Sequence, residues 1–405
     1  MKKHRVIQGL IVAFFLLFLY GEAIQNDMIS QRFEEKIEEC LQEGYLPVVI
    51  LTQETGAYDY IGQPALWAAQ YAADQINEAG GINGCEIKLV SEDTGSEKSR
   101  ALSLYRGAAR KCCVILGPVD APETAYISQN IESGDRTVHI AAYSYEDSGE
   151  GHAPYSISYM SDSEDGELEA VRVFAAENPD IKDVVLFSMS SDESKNSTAL
   201  EFLDRQEELG LNILDVVDVV PDAGETDYQR YAIQALNQKA DGYLFLLSGK
   251  DYAEILKELR SHGVEEGRRI TASFSAYDPE TVEIAGDSLD GTYIWHKIDP
   301  YYEGQEWQQL LAAYGKTGQE EEQVSVPVAD YYDAVMAICR CYEEFGITSD
   351  NYVSFRDNEQ IAEWFYDSEQ LRGIQGNYSW ENGKKISDYQ FFVYDGTVPV
   401  NLKNR

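Results

Sequence analysis

The run Val48-Val49-Ile50-Leu51-Thr52, the loop Gln53–Gln63, the segment Pro64–Ala79 and a second run, Cys85-Glu86-Ile87-Lys88-Leu89-Val90, decide how this chain folds. The first run is unbroken by polar alternation and reads as a strand buried on both faces. After the loop, Leu66, Ala69, Ala73 and Ile76 recur at three- and four-residue spacing and so share one face of a helix. Pro64 suits the first helical turn, where its missing N–H is not needed, and Gly80-Gly81 ends the helix. A strand–helix–strand unit implies parallel strands. Such units take ligands in the crevice at the carboxyl ends of their strands. The loop carrying Thr55, Gly56, Tyr58, Tyr60 and Gly62 lies at that end.

Within this stretch, Thr55-Gly56, Gly62, Ala72-Ala73-Asp74-Gln75-Ile76-Asn77-Glu78-Ala79-Gly80-Gly81-Ile82-Asn83-Gly84 and Asp93 form a long signature. It continues in Gly117-Pro118, Tyr332-Asp333-Ala334-Val335, Gly373 and Gly376-Asn377-Tyr378-Ser379-Trp380. Taken together, these residues resemble the branched-chain amino-acid-binding family, type I solute-binding proteins that deliver ligands to ABC importers. The resemblance spans roughly residues 45 to 400. It implies an α/β fold of two doubly wound lobes joined by a three-segment hinge, type I periplasmic binding protein-like. It also implies a ligand captured between the lobes, and hinge closure as the expected motion.

Length and charge bound the rest. A chain of 405 residues suits two lobes. A net charge of −39 argues against nucleic acid and against adhesion to anionic lipid, since both need basic patches. The acidic residues are spread along the chain, which reads as solubility rather than as a cationic partner's footprint. Lys2, Lys3 and Arg5 precede the apolar run Leu10–Tyr20, the pattern of a secretory signal. The run falls short of the ~18 residues of a comfortable membrane span. Gly21-Glu22-Ala23 is a cleavage candidate, and an uncleaved signal anchor is the competing reading. Either way the protein is expected to be exported: extracellular or cell-surface, or periplasmic where there are two membranes. Six cysteines in an exported chain invite disulfides, but their positions favour buried free thiols. Five histidines without His-x-x-x-His, and no Cys-x-x-Cys, leave a zinc site unsupported, and no cofactor is expected.

Residues 24–46 read as an acidic amphipathic lead-in helix, with Ile29, Phe33, Ile37 and Leu41 every four residues. Strands follow at Cys113–Gly117 and Thr137–Ala142, and Asp120 is placed to cap a helix with Pro122 and Glu123 in its first turn. A second alternation begins after Met160. Its strands are expected at Asp183–Phe187, Asn212–Val219, Asp241–Leu247 and Arg269–Phe274, and its helices at Glu164–Ala176, Thr198–Leu209, Asp227–Gln238 and Asp251–Ser261. Helices at Gln305–Tyr314, Val328–Phe345 and Asn358–Tyr366 return to the first lobe. Asn382-Gly383 is a hairpin turn, expected between Asn377–Trp380 and Tyr389–Tyr394. The resulting division is 1–23 signal segment, 47–158 plus 298–373 lobe 1, and 159–297 plus 374–405 lobe 2.

The loops after the strands supply the candidate site: Tyr58, Tyr60, Val119–Ala121 and Ala142–Ser144 from lobe 1, and Ser188–Asp192, Ser248-Gly249 and Phe274–Tyr277 from lobe 2. The family resemblance assigns a ligand's carboxylate to Ala142 and Ser144. It places Ala121 where many members carry a hydroxyl, Phe274 near the acidic amine-holder, and Ser248 near the lobe-two aromatic. Asp120 and Glu123 put negative charge at the same helix start, which disfavours an anionic group. The expected ligand-binding set is therefore Tyr58, Tyr60, Ala121, Ala142, Ser144, Ser248, Phe274 and Tyr277, with Asp192 or Asp278 as substitute amine-holders. Each has a plainer reading, the tyrosines as surface loop residues and Phe274 and Tyr277 as core. Asp93 reads as a loop or cap residue, and Tyr331-Tyr332-Asp333 as packing. The ligand class is amino acids or related compounds, with a neutral or amine-bearing compound as the alternative. The partner is an ABC permease, and the protein is expected to be a monomer. The competing roles are a ligand sensor presenting its closed form to a membrane receptor, and a small-amide hydrolase. No Gly-x-Ser-x-Gly elbow exists, and Ser248-Gly249-Lys250 lacks the glycine spacing of a phosphate loop, so no enzyme is expected.

Overall fold

The computed structural model describes residues 24, 26–131, 134–142, 154–161, 163–221, 226–247, 249–264, 270–272, 279–318 and 326–404. The signal segment lies outside them, and none of the described helices is long and apolar enough to cross a membrane. In chain order, helix α1 (26–42) leads into β1 (Leu46–Thr52), α2 (Asp59–Glu78), β2 (Ile87–Asp93), α3 (Lys98–Ala109), β3 (Val114–Leu116), α4 (Ala121–Asn130), β4 (Val138–Ala141) and β5 (Ser156–Ser158). Then come α5 (Ser163–Glu177), β6 (Asp183–Ser188), α6 (Glu193–Arg205), β7 (Asn212–Asp218), α7 (Tyr228–Asn237), β8 (Gly242–Phe245), α8 (Gly249–Ser261), β9 (Ile270–Ala272), α9 (Pro279–Ala285) and β10 (Tyr293–His296). The chain closes with α10 (Gln305–Gly315), α11 (Val326–Glu344), α12 (Glu359–Tyr366), β11 (Leu371–Gly373), β12 (Gly376–Glu381), β13 (Lys384–Ser387), β14 (Gln390–Asp395) and β15 (Val398–Asn401).

Two units divide these elements. Unit 1 takes residues 1–161 and 300–387, and unit 2 takes 162–299 and 388–405. The sheet of unit 1 runs β2-β1-β3-β4-β5, every pair parallel. All seven residues of β1 are buried, as an unbroken apolar run requires of a central parallel strand. Helix α2 turns Ala65, Ala68, Ala69, Ala72 and Ala73 inward, small side chains on the face that packs against α11. Helix α1 lies against α3. Phe33 and Ile37 are buried, Ser30 Oγ donates to the Ser103 carbonyl at 2.5 Å, and Lys111 pairs with Glu34 at 3.4 Å. The lead-in helix is therefore packed, with Ile29 and Leu41 half-buried at its margins.

The sheet of unit 2 runs β15-β14-β10-β9-β8-β6-β7. The five strands from β7 to β10 are parallel, while β14 and β15 add antiparallel at one edge. Two apolar layers cover its faces. One is built on Phe187, Phe245, Tyr252 and Leu256, the other on Phe174, Leu186, Phe202 and Leu244. Alternate residues of β6 and β8 thus face opposite layers, as the two-residue period of a strand dictates.

Three local differences from the sequence expectations have physical reasons. Helix α2 begins at Asp59, so Tyr60 sits in its first turn and Pro64 falls inside the helix rather than at its start. Residues 374–387, expected in lobe 2, lie in unit 1, and the hairpin at Asn382-Gly383 joins β12 to β13 rather than to the strand at Tyr389. The cause is docking of that hairpin. The Ser158 N–H donates to the Gly383 carbonyl at 2.7 Å, the Gly383 N–H donates to the Tyr366 carbonyl at 2.8 Å, and Trp380 Nε1 donates to the Ser158 carbonyl at 2.6 Å. Lys385 Nζ reaches Asp330 Oδ1 at 2.6 Å, with both residues buried. The chain therefore passes to unit 2 only after Ser387. All six cysteines are free, five buried and Cys85 half-buried.

Gly383 supplies a test of that docking. Its φ is +74°, and an added Cβ would lie 2.5 Å from the Ser156 carbonyl oxygen. Gly396 has a similar φ of +61° but open space around it. Gly383→Ala should therefore destabilise the protein more than Gly396→Ala, by about 1–3 kcal/mol from overpacking alone, read as the difference in thermal midpoint. Equal midpoints would mean that the hairpin is not seated on β5.

Candidate functional site

Both sheets have a switch point. In unit 1 the chain runs from β1 outward to β2 and then returns to β3 on the other side, so the crevice lies at the carboxyl ends of β1 and β3. In unit 2 the same reversal places it beside β6 and β8. The two edges are finished alike. In unit 1 the loop after β1 is held by Asp93, the last residue of β2. Its carboxylate accepts from the Thr55 N–H at 3.3 Å and from Thr55 Oγ1 at 2.6 Å. In unit 2 the loop after β6 is held by Asp218, the last residue of β7, which accepts from the Ser190 N–H at 2.7 Å and from Ser190 Oγ at 2.8 Å. Asp93 also accepts from the Glu54 and Gly95 N–H groups, so it acts as a loop anchor.

At the β1/β3 crevice of unit 1 the structure buries a polar cluster. Gln53 leaves β1 fully buried and uses its whole amide. Oε1 accepts from the Val119 N–H at 3.0 Å, while Nε2 donates to Asp120 Oδ2 and, at 2.6 Å, to Glu123 Oε2. Thr94, arriving from β2, donates to the same Glu123 oxygen at 2.9 Å. Asp120 caps α4 by accepting from the Glu123 N–H at 2.6 Å. The turn that brings Asp120 here needs glycine at Gly117, whose φ is +87° and whose Cβ would stand 2.3 Å from the Leu51 carbonyl oxygen. Behind it, Tyr159 donates to the Val119 carbonyl at 3.1 Å and meets Tyr331 edge-on at 5.1 Å.

Burial pushes the Glu123 carboxyl up to about 8, and the hydrogen-bonded, charged Asp120 carboxylate beside it adds to the shift. Thr94 and Gln53 oppose it by bonding the ionised form. Glu123 is therefore protonated near neutrality. Neither carboxyl has an ion-pair partner among the described residues. The Glu123 carboxyl, in a residue only 1% exposed, is hydrogen-bonded to the Asp120 side chain as well as to Gln53 and Thr94.

Unit 2 has its own perturbed carboxyl. Glu167 in α5 accepts from Trp295 Nε1 at 3.0 Å, and burial raises it to about 8 against the pull of Trp295, Lys195 and Lys297. Helix α5 lies directly on this indole, since a Cβ on Gly166 would come within 2.1 Å of the Trp295 ring. Lys195 lies 3.6 Å from Asp192, the cap of α6.

The expected site residues are distributed as follows. Tyr58 is half-buried at the start of α2, and Tyr60 is 70% exposed. Ala121 is the exposed first residue of α4. Ala142 is buried, and its carbonyl accepts from Ser158 Oγ at 3.2 Å. Ser144, Ser248, Phe274 and Tyr277 lie outside the described residues. The sequence reading missed Gln53, Thr94 and Glu167. Its one signal for Gln53 was a polar residue directly after a buried strand at the switch point.

Glu123 predicts a pH dependence. Its pKa is higher folded than unfolded, so the stability it contributes is present in full below about 4.5 and is lost as pH rises toward about 8. Glu167 and Asp333, raised to about 8 and about 6, act in the same direction, so the comparison is between variant and parent. Glu123→Gln, permanently neutral, should show a shallower fall in thermal midpoint across that window. An unchanged slope would show that Glu123 carries no proton in the folded state.

Comparison with known proteins agrees with this architecture. Residues 46–397 match the model of a family described as periplasmic binding protein. No curated protein sequence matches. Among solved structures, a leucine binding protein of Thermotoga maritima is 22% identical, with a TM-score of 0.62 over 88% of this chain and 97% of that one. The branched-chain amino acid transporter substrate binding protein of Streptococcus pneumoniae, solved with isoleucine, is 19% identical with a TM-score of 0.62, covering 88% and 99%. An ABC transporter substrate-binding protein of Desulfitobacterium hafniense, solved in complex with Leu, is 16% identical with a TM-score of 0.66, covering 88% and 100%. At these identities the likeness is one of fold. With the family match across most of its length, the chain belongs to the periplasmic binding protein family, whose members bind substrates rather than transform them.

Proposed function

We propose that this protein is the exported solute-binding component of an ABC importer, capturing a small ligand, an amino acid or related compound, and handing it to a permease. The observation that carries the reading is the β1/β3 crevice of unit 1. Buried polar groups are gathered there at the switch point of a parallel sheet, the position where such sheets hold ligands. The solved relatives named for isoleucine and leucine binding support the ligand class. The basic start at Lys2, Lys3 and Arg5 and the apolar run that follows support export.

A thermal-shift screen of the purified protein against amino acids, their amides, small amines and small carboxylates tests capture. A ligand at a hundred times its dissociation constant adds about 2.7 kcal/mol of stability, which moves the midpoint measurably. A saturable shift with one chemical series is the expected result. A flat response to every series, with sugars and other neutral solutes included, would remove the solute-binding reading.

A further inference from the structure

We infer that a cleft in unit 1, between the α2–β2 turn and strands β11 and β12, is a separate small-molecule site that takes an apolar monocarboxylate about the size of a single aromatic ring. It lies away from the β1/β3 crevice. Helix α2 runs back from the carboxyl end of β1, so Ile76 and the turn at Ile82 come to the end of the sheet where β2 begins. The cleft has a volume of about 340 Å³. Ligand sites begin at about this size, and a cavity of about 150 Å³ already holds benzene. Both walls are fixed to α11. On one side, Asn83 Nδ2 donates to the Tyr342 and Ile347 carbonyls at 2.8 and 2.9 Å, which seats the turn on the end of the helix. On the other, the Ile374 N–H donates to Asp333 Oδ1 at 2.7 Å and the Tyr378 hydroxyl to the Asp333 carbonyl at 3.0 Å, which seats the strands nearer its start. Between these anchors α11 lines the cleft with Tyr332, Met336 and Arg340, four residues apart along one face. The space is thus held open by the fold before any ligand arrives, which lowers the cost of binding.

The interior of the cleft is apolar and its charges stand at the edge. Ile76, Tyr332, Leu371 and Tyr378 are buried and Met336 is half-buried, a surface suited to an apolar body. Four charged residues line the rim: Glu306, Arg340, Glu343 and Arg372. Glu306 and Arg372 answer each other at 2.8 Å. The Arg340 guanidinium has neither an ion pair nor a hydrogen bond among the described residues. Acidic residues outnumber basic ones 71 to 32 in this chain, so a guanidinium without a carboxylate partner is not explained by scarcity. Arg340 also lies near the inner wall. Burial raises the Tyr378 hydroxyl, Arg340 opposes that rise, and Glu343 does not act on it. Asp330 and Asp333, which act on the same hydroxyl, are answered by Lys385 at 2.6 and 3.7 Å. The uncompensated charge nearest the apolar interior is therefore positive. A carboxylate supplies the two acceptors that the guanidinium fork matches. Its apolar remainder then rests on Met336 and the tyrosine walls, where sulfur–aromatic contact adds to burial. Glu343 at the outer rim disfavours a second anionic group, which limits the ligand to one carboxylate.

Phenylacetate, 4-methylpentanoate and phenethylamine test the site, the last presenting a ring with a cation in place of the carboxylate. The reporter is the methyl resonance of Met336, one of five methionines, in the full protein labelled at its methionine methyl groups. Met336→Leu, which keeps the volume, assigns it. At least one of the two carboxylates should shift this resonance saturably, and phenethylamine should bind at least tenfold more weakly. Arg340→Gln should weaken the carboxylate roughly tenfold or more with an unchanged thermal midpoint, since Arg340 is exposed. Glu343→Gln should leave binding equal or tighter. Silence of Met336 toward both carboxylates at millimolar concentration overturns the inference. So does an equal response to the amine, or full affinity in Arg340→Gln. The outcome is separate from capture at the crevice: a solute that raises the thermal midpoint without moving Met336 is held elsewhere, and a Met336 shift stands whether or not such a solute is found.

Discussion

Strand β1 is paired on both edges and covered on both faces, and the architecture of unit 1 follows from that double enclosure. A strand without polar alternation is stable only with helices on each side, so the connections on its two edges must cross over as helices. Once β2 takes one edge and β3 the other, the chain has reversed direction across the sheet, and the two loops leaving β1 and β3 diverge. The gap between them is flanked by the starts of α2 and α4. Gln53 spans that gap, tying the end of β1 to the residues that follow β3. The site is thus a consequence of burial in the middle of the sheet rather than an addition to it.

The second unit repeats the solution with different residues. An aspartate at the end of the outer strand holds a hydroxyl residue in the neighbouring loop, Asp93 with Thr55 and Asp218 with Ser190. The shared element is a loop kept rigid at a strand end, which lowers the entropy lost when a ligand orders it. What differs is charge. Unit 1 presents a carboxyl pair with no cation beside it among the described residues, whereas unit 2 sets Glu167 near Lys195 and Lys297.

Much of this was legible in residue order. The unbroken run at Val48–Leu51, the helical spacing from Leu66 to Ile76 and the restart of alternation after residue 160 fixed the parallel sheets, because burial on both faces leaves a plain hydrophobic record. The capping role of Asp120 was also visible, since it depends on three-residue spacing alone. The partners of Gln53 were not. They lie 66 to 70 residues away, and nothing local marks a glutamine whose amide is fully committed. Likewise, Asn382-Gly383 announced a turn but not its seat on β5, so residues 374–387 were read into the other lobe. Local chemistry predicts that the chain turns; the surface it lands on is a tertiary matter.

The six cysteines, none in a disulfide, carry a consequence for a chain whose family is exported. Burial pushes Cys40 up to about 11 and Cys113 to about 12, so in the folded protein almost none of either thiol is in the reactive thiolate form. Cys112, Cys339 and Cys341 are raised in the same way. In an oxidising compartment this protection lasts only while the chain is folded. A transient opening exposes ordinary thiols to oxidation. Conformational stability in this protein therefore doubles as chemical durability, with the rate of unfolding setting how long the molecule remains usable under oxidising conditions.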